Sequence, residues 1–151
     1  FVRFRSEFIG KVSPVHLFWG SFDLALTRFS GRPAPKYQGT LVNIPRRVME
    51  EAYSHEVSSC GFWPGNTSAP SPVFYSYSYP TPPDFGRQPV APAEAFFSKE
   101  MGEFLLSYET VRQAPDPANT LLQFFRSTYR AAALTANWSG DLECDLSWLE
   151  K

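Results

Sequence analysis

Two histidines, two cysteines and a few well-placed carboxylates are the groups that could do chemistry in this 151-residue chain. The stretch SHEVSSCGFWPG, residues 54–65, brings His55, Glu56, Cys60 and Trp63 close together in sequence. His16 lies well upstream, directly before LFWGSFD. An imidazole changes its charge near neutral pH, so His16 or His55 is a candidate general base, oriented by Asp23 or Glu56. Two imidazoles and a carboxylate could also hold zinc or iron. His55 and Glu56 are neighbours, however, and on a strand they face opposite ways. No H-E-x-x-H spacing is present, so no metal site is expected. A nucleophilic Cys60 would need a helix N-terminus or a cation to lower its pKa. The sequence around it reads as a strand, which makes a buried structural thiol the simpler reading.

A ligand-binding aromatic cleft fits the composition better. The chain carries 14 Phe, 7 Tyr and 4 Trp. Ligand pockets are mostly apolar, with a few placed polar groups. Trp19, Trp63, Tyr75, Tyr77 and Tyr79 could wall such a cleft, and His16, His55, Ser59 and Arg28 could supply its polar groups. The same rings would serve equally well in a core or on a partner surface, where Trp, Tyr and Arg dominate.

These residues have to be positioned by strands. In FDLALTRFSGR, Phe22, Leu24 and Leu26 alternate with Asp23, Ala25 and Thr27, which predicts a half-buried strand. Gly20 just before it marks a bulge or bend. A second strand is predicted over about 54–62, with His55, Val57, Ser59 and Gly61 on one face and Glu56, Ser58, Cys60 and Phe62 on the other. A third, VFYSYSY over 73–79, puts Tyr75, Tyr77 and Tyr79 on one side. EFLLSYETV reads as a fourth. Helical spacing of Phe1, Phe4 and Phe8 predicts an amphipathic helix at the start. RRVMEEAYS reads as a single helical turn, and residues 93–97 as a short helical segment. Asp116 as N-cap and Pro117 at the first position open a long helix with Leu121, Leu122, Phe125, Tyr129 and Ala132 as its apolar stripe. Trp148 and Leu149 would tie down the tail. The predicted fold is a single α+β domain over 1–151, a mainly antiparallel sheet of about four to five strands with helices packed on one face.

Charge and cysteine content narrow the functional classes. Fourteen basic and 15 acidic residues give a formal net charge of −1, with no basic stripe for nucleic acid. No apolar run is long enough to cross a membrane. Two cysteines permit one disulfide at most, so a reduced, cytoplasmic setting is the default. No glycine-rich phosphate loop and no G-x-S-x-G elbow are present.

SPVHLFWGSFDLALTRFSGR, EAYSHEVSSCGFWPG, FYSYSYP and EFLLSYETVR, in this order, resemble the bacterial family catalogued as domain of unknown function 5996. The resemblance runs from about Phe4 to Trp138 and implies no activity, cofactor or catalytic residue. It does imply that the chain is the C-terminal half of a longer protein, whose N-terminal half or a second subunit could pack against it.

The expectation for function is therefore a domain that binds a small molecule, with catalysis on that molecule as its fuller form. Its aromatic cleft would hold His16 and His55 as acid–base groups, with Trp19, Ser59, Trp63, Tyr77 and Arg28 contacting the ligand. The rival is an interaction module whose aromatic face packs on a companion domain or subunit.

Overall fold

The computed structural model describes residues 1–39, 44–67 and 69–144. Six strands form one antiparallel sheet: β1 (His16–Phe18), β2 (Asp23–Pro33), β3 (His55–Trp63), β4 (Val73–Tyr79), β5 (Phe96–Ser98) and β6 (Glu103–Ser107). Their order across the sheet is β1-β2-β3-β4-β6-β5. The strand count is one above the expected range. The α-helices among the described residues are α1 (Val2–Ser6), α2 (Arg46–Ala52), α3 (Tyr108–Gln113) and α4 (Pro117–Thr135).

The period-2 alternation read from sequence divides the sheet into two unlike faces. Leu26 pairs with Cys60, Cys60 with Ser76, and Ser76 with Phe104, so these four side chains share a face. Helix α4 covers it. Asp116 caps that helix, its Oδ1 accepting a hydrogen bond from the Asn119 amide at 3.0 Å, and Pro117 occupies the first turn. Its buried residues include Leu122, Phe125, Tyr129 and Ala132, the stripe expected from their spacing. Phe4 and Phe8 from α1 and its C-terminal extension, Val111 of α3 and Phe85 from the proline-rich loop complete this core. The Glu7 carboxylate accepts two hydrogen bonds from Arg126, at 2.9 and 2.6 Å, and so ties the first helix to α4.

Two segments differ from their sequence reading for packing reasons. The expected helical segment at 93–97 gives way to β5, because extension sends Phe97 inward against Phe85 and Phe104, at ring distances of 5.9 and 5.1 Å. The strand read through EFLLSYETV stops at Ser107, whose hydroxyl accepts from the Glu109 amide and starts α3. The turn of helix then brings Tyr108 and Val111 toward the core side, where Tyr108 packs on Phe62 and Phe74. Helix α2 is longer than the single turn expected, with Arg46 bonded to Glu50 one turn later. Gly20 sits in the turn between β1 and β2, and the β2–β3 register shifts between Phe29 and Pro33, where Gly31 has φ of +85°. Trp148 and Leu149 lie outside the described residues.

Candidate functional site

The second face of the sheet carries a tyrosine cluster and two carboxyl groups. In register across it lie Thr27, Ser59 and Tyr77 in one row, and Ala25, Gly61, Tyr75 and Leu105 in the next. Glu103 precedes Phe104, the partner of Ser76, and so adjoins Tyr77 at the start of β6. Asp23 opens β2 on the same face. We call this the tyrosine face.

Gly61 determines how it is built. The Tyr75 ring lies over Gly61, in space that any side chain at 61 would occupy. From there the Tyr75 hydroxyl donates to the Asp23 carboxylate, which also accepts from the Ser21 hydroxyl. Tyr77 stacks beside Tyr75, with ring centroids 6.2 Å apart. The Tyr53 and Tyr77 hydroxyls are 3.0 Å apart, and the Ser59 and Thr27 hydroxyls 2.9 Å apart. Tyr53 follows α2 directly, so that short helix lies on the tyrosine face, opposite α4. Tyr37 stacks on Tyr53 at 4.9 Å and extends the cluster to Tyr79.

This face holds two buried or half-buried carboxyl groups. Asp23 is 8% exposed and makes no ion pair among the described residues. No Lys or Arg occupies a described strand position on this side. Burial pushes the Glu103 carboxyl up to about 7, and the Asp23 carboxylate adds to the shift. Burial also raises the Tyr75 hydroxyl far above its usual range, reinforced by its hydrogen bond to Asp23 and by that group's charge. Tyr77 rises for the same first reason, with Tyr53 contributing next. The result is a cluster of neutral tyrosine hydroxyls, one of which donates to Asp23, beside a second carboxyl, Glu103, raised to about 7.

The residues proposed from sequence separate on this framework. Ser59 and Tyr77 are brought side by side. Trp63 ends β3, half-buried, and Trp19 stands 80% exposed in the β1–β2 turn. His16 and His55 do not converge. His16 pairs with Ala25 and Ala25 with Gly61, whereas His55 lies six residues along the same strand, about 20 Å at the usual rise. Both histidines are exposed. The His16 ring packs edge-on against Phe18 at 4.8 Å, and His55 Nδ1 lies 3.1 Å from the Ser54 hydroxyl. Asp23 is paired with Tyr75 rather than with a histidine. Glu56 faces the α4 side, bonded to Arg32 at 2.7 Å. Cys60 is fully buried there, and desolvation pushes its thiol up to about 12, far from a reactive thiolate.

Arg28 is on the α4 side too, because it shares the face of Leu26. Sequence reasoning placed it in the same cleft as Tyr77 without weighing that alternation. It also passed over Glu103, although Glu103, Leu105 and Ser107 alternate with the core residues Phe104 and Leu106. Among the described residues no group of three or more His, Cys, Asp or Glu could hold a metal ion.

Fold and site together define an α+β domain with a helix-covered apolar face and a tyrosine-rich polar face. Residues 1–144 match the sequence model described as a family of unknown function (DUF5996), and the chain belongs to that family. No curated protein and no solved structure matches the chain.

Proposed function

We propose that the tyrosine face binds a small molecule and can exchange a proton with it, with Asp23, Tyr75, Tyr77, Ser59 and Glu103 as its polar centre. One observation carries this reading. Asp23 is buried on a sheet face with no ion-pair partner among the described residues, fixed by the hydroxyls of Tyr75 and Ser21. Leaving a carboxylate in such a place costs stability, and groups arranged this way are concentrated where proteins bind and react. Glu103 supplies a proton donor or acceptor tuned to neutral pH. His16 and His55 belong to the rim of this reading and not to its centre.

The test is a screen of small polar compounds by ligand-observed NMR against the wild type, Asp23→Asn and Tyr77→Phe. Compounds that bind the wild type and lose binding in both variants support the proposal. Binding that survives both variants, or a screen with no binders, contradicts it.

A second reading is favoured by the apolar residues in the same region. Phe18, Trp19, Phe22 and Phe96 are 50%, 80%, 56% and 56% exposed. Such rings suit an interaction module covered by a companion domain or subunit. This reading takes the chain as one half of a longer bacterial protein, an expectation drawn from the resemblance alone. A cytoplasmic setting is supported by Cys60 and Cys144 both being free thiols.

A further inference from the structure

The second site lies on the opposite side of the sheet and is independent of the tyrosine face. Arg28 is 2% exposed, yet no carboxylate bonds to it among the described residues. Its guanidinium lies over the Phe4 ring at 3.5 Å and near the rings of Tyr129 at 4.4 Å and Phe8 at 5.0 Å. One terminal nitrogen donates to the Phe4 carbonyl, whereas the buried Nε–H has no acceptor among the described residues. Arginine is rarely buried without a paired anion, because removing its charge from water is costly. The aromatic rings offset part of that cost through their π faces, but they cannot accept the hydrogen bonds of a planar fork.

This guanidinium borders a cavity of about 850 Å³ between α4, α1 and the proline-rich loop. The charged residues around it are Arg3, Arg28, Arg126 and Arg130 against Glu7 and Glu143. Four positive and two negative groups leave a formal charge of +2 on its walls. Glu7 is already engaged by Arg126. The volume falls within the range usual for small-molecule sites. A phosphate monoester carries about −1.5 to −2 charges at neutral pH and presents several strong acceptor oxygens.

We infer that this cavity is an anion site that takes a small molecule bearing a phosphate monoester, with Arg28 at its inner end and Arg130 at its mouth. Arg28 supplies the guanidinium donors not taken by the Phe4 carbonyl, held in place by the Phe4 and Tyr129 rings. Arg130, exposed on α4, supplies charge without a structural role. A carboxylate ligand would meet the same fork but would balance only half of the wall charge.

The experiment measures thermal unfolding of the full chain with increasing inorganic phosphate, and separately with phenyl phosphate, against sodium chloride at equal ionic strength. The expected result is a saturating rise in the melting temperature with both phosphates that chloride does not reproduce. Benzoate is expected to act only weakly. Arg130→Ala is expected to melt like the wild type without phosphate and to bind about tenfold more weakly. Arg28→Lys keeps the charge and removes the fork, so its affinity is expected to fall at least as far. Where Arg28→Lys does not fold, Arg130→Ala decides. A rise matched by chloride, or wild-type affinity in Arg130→Ala, overturns the inference.

Discussion

Tyr75 reaches across Gly61 to donate its hydroxyl to the Asp23 carboxylate, joining residues 52 positions apart in the chain. The bond links β4 to β2 over the intervening strand, and only a glycine between them leaves the ring room. A methyl at position 61 would collide with that ring and stand 2.5 Å from the Leu24 carbonyl oxygen. Backbone on one side and a packed ring on the other leave little room to relax. Gly61→Ala is therefore expected to cost about 2–4 kcal/mol in urea unfolding. Wild-type stability in this variant would show that the ring does not lie where it is placed.

Removing only the hydroxyl isolates the hydrogen bond. Tyr75→Phe leaves the ring in place and Asp23 with Ser21 as its hydroxyl donor. The expected loss is about 1–3 kcal/mol, the range for depriving a buried charged group of one partner. In the double variant with Asp23→Asn the two losses should be strongly non-additive, because they share one interaction. Simple additivity, measured by a double-mutant cycle, would mean that the two groups are not coupled.

Glu103 gives the fold a pH dependence of definite sign. Its folded pKa of about 7 lies above the ordinary carboxyl value of 4.5. The folded state therefore binds more protons than the unfolded state between these values, and stability falls as pH rises through that window. The contribution is fully present below the unfolded value and lost once pH passes the folded one. Glu103→Gln removes this dependence and is expected to gain roughly 1–3 kcal/mol at pH 8 relative to the wild type. Unfolding curves from pH 4 to 8 check it, and an unchanged slope in the variant would be the contrary result.

His16 and His55 provide a negative control within the same molecule. Both are exposed, and among the described residues His16 packs on Phe18 and His55 meets the Ser54 hydroxyl rather than a group of the polar centre. His16→Gln and His55→Gln are each expected to change stability by less than about 0.5 kcal/mol. Each should also leave binding at the tyrosine face intact. Lost binding in either variant would return the histidines to the site.

Much of this architecture was legible in the sequence because local chemistry and the global fold agree. VFYSYSY alternates cleanly and forms β4 over the predicted residues. Asp116 and Pro117 announce α4, and its stripe faces the core as the spacing requires. The alternation of β3 correctly separates His55, Val57, Ser59 and Gly61 from Glu56, Ser58 and Cys60. The candidate site was harder to read, because alternation assigns a residue to a face but not to a height along the strand. His16 and His55 share a face and are still about 20 Å apart along it. Glu103 gave little signal because its shift comes from burial in the assembled sheet and from the charge of Asp23, a residue of another strand. The β5 segment was read as helix because its strand character depends on Phe97 reaching Phe85 and Phe104, a tertiary contact that overrides local preference.

The most direct measurement is the pH dependence of binding for a compound found to engage the tyrosine face. Affinity would be followed from pH 5 to 9 for the wild type and for Glu103→Gln. With Glu103 in the site, wild-type affinity should change through a midpoint near 7, and the variant should show no such midpoint. A flat wild-type profile, or the same midpoint in Glu103→Gln, would contradict the assignment of this face as the site.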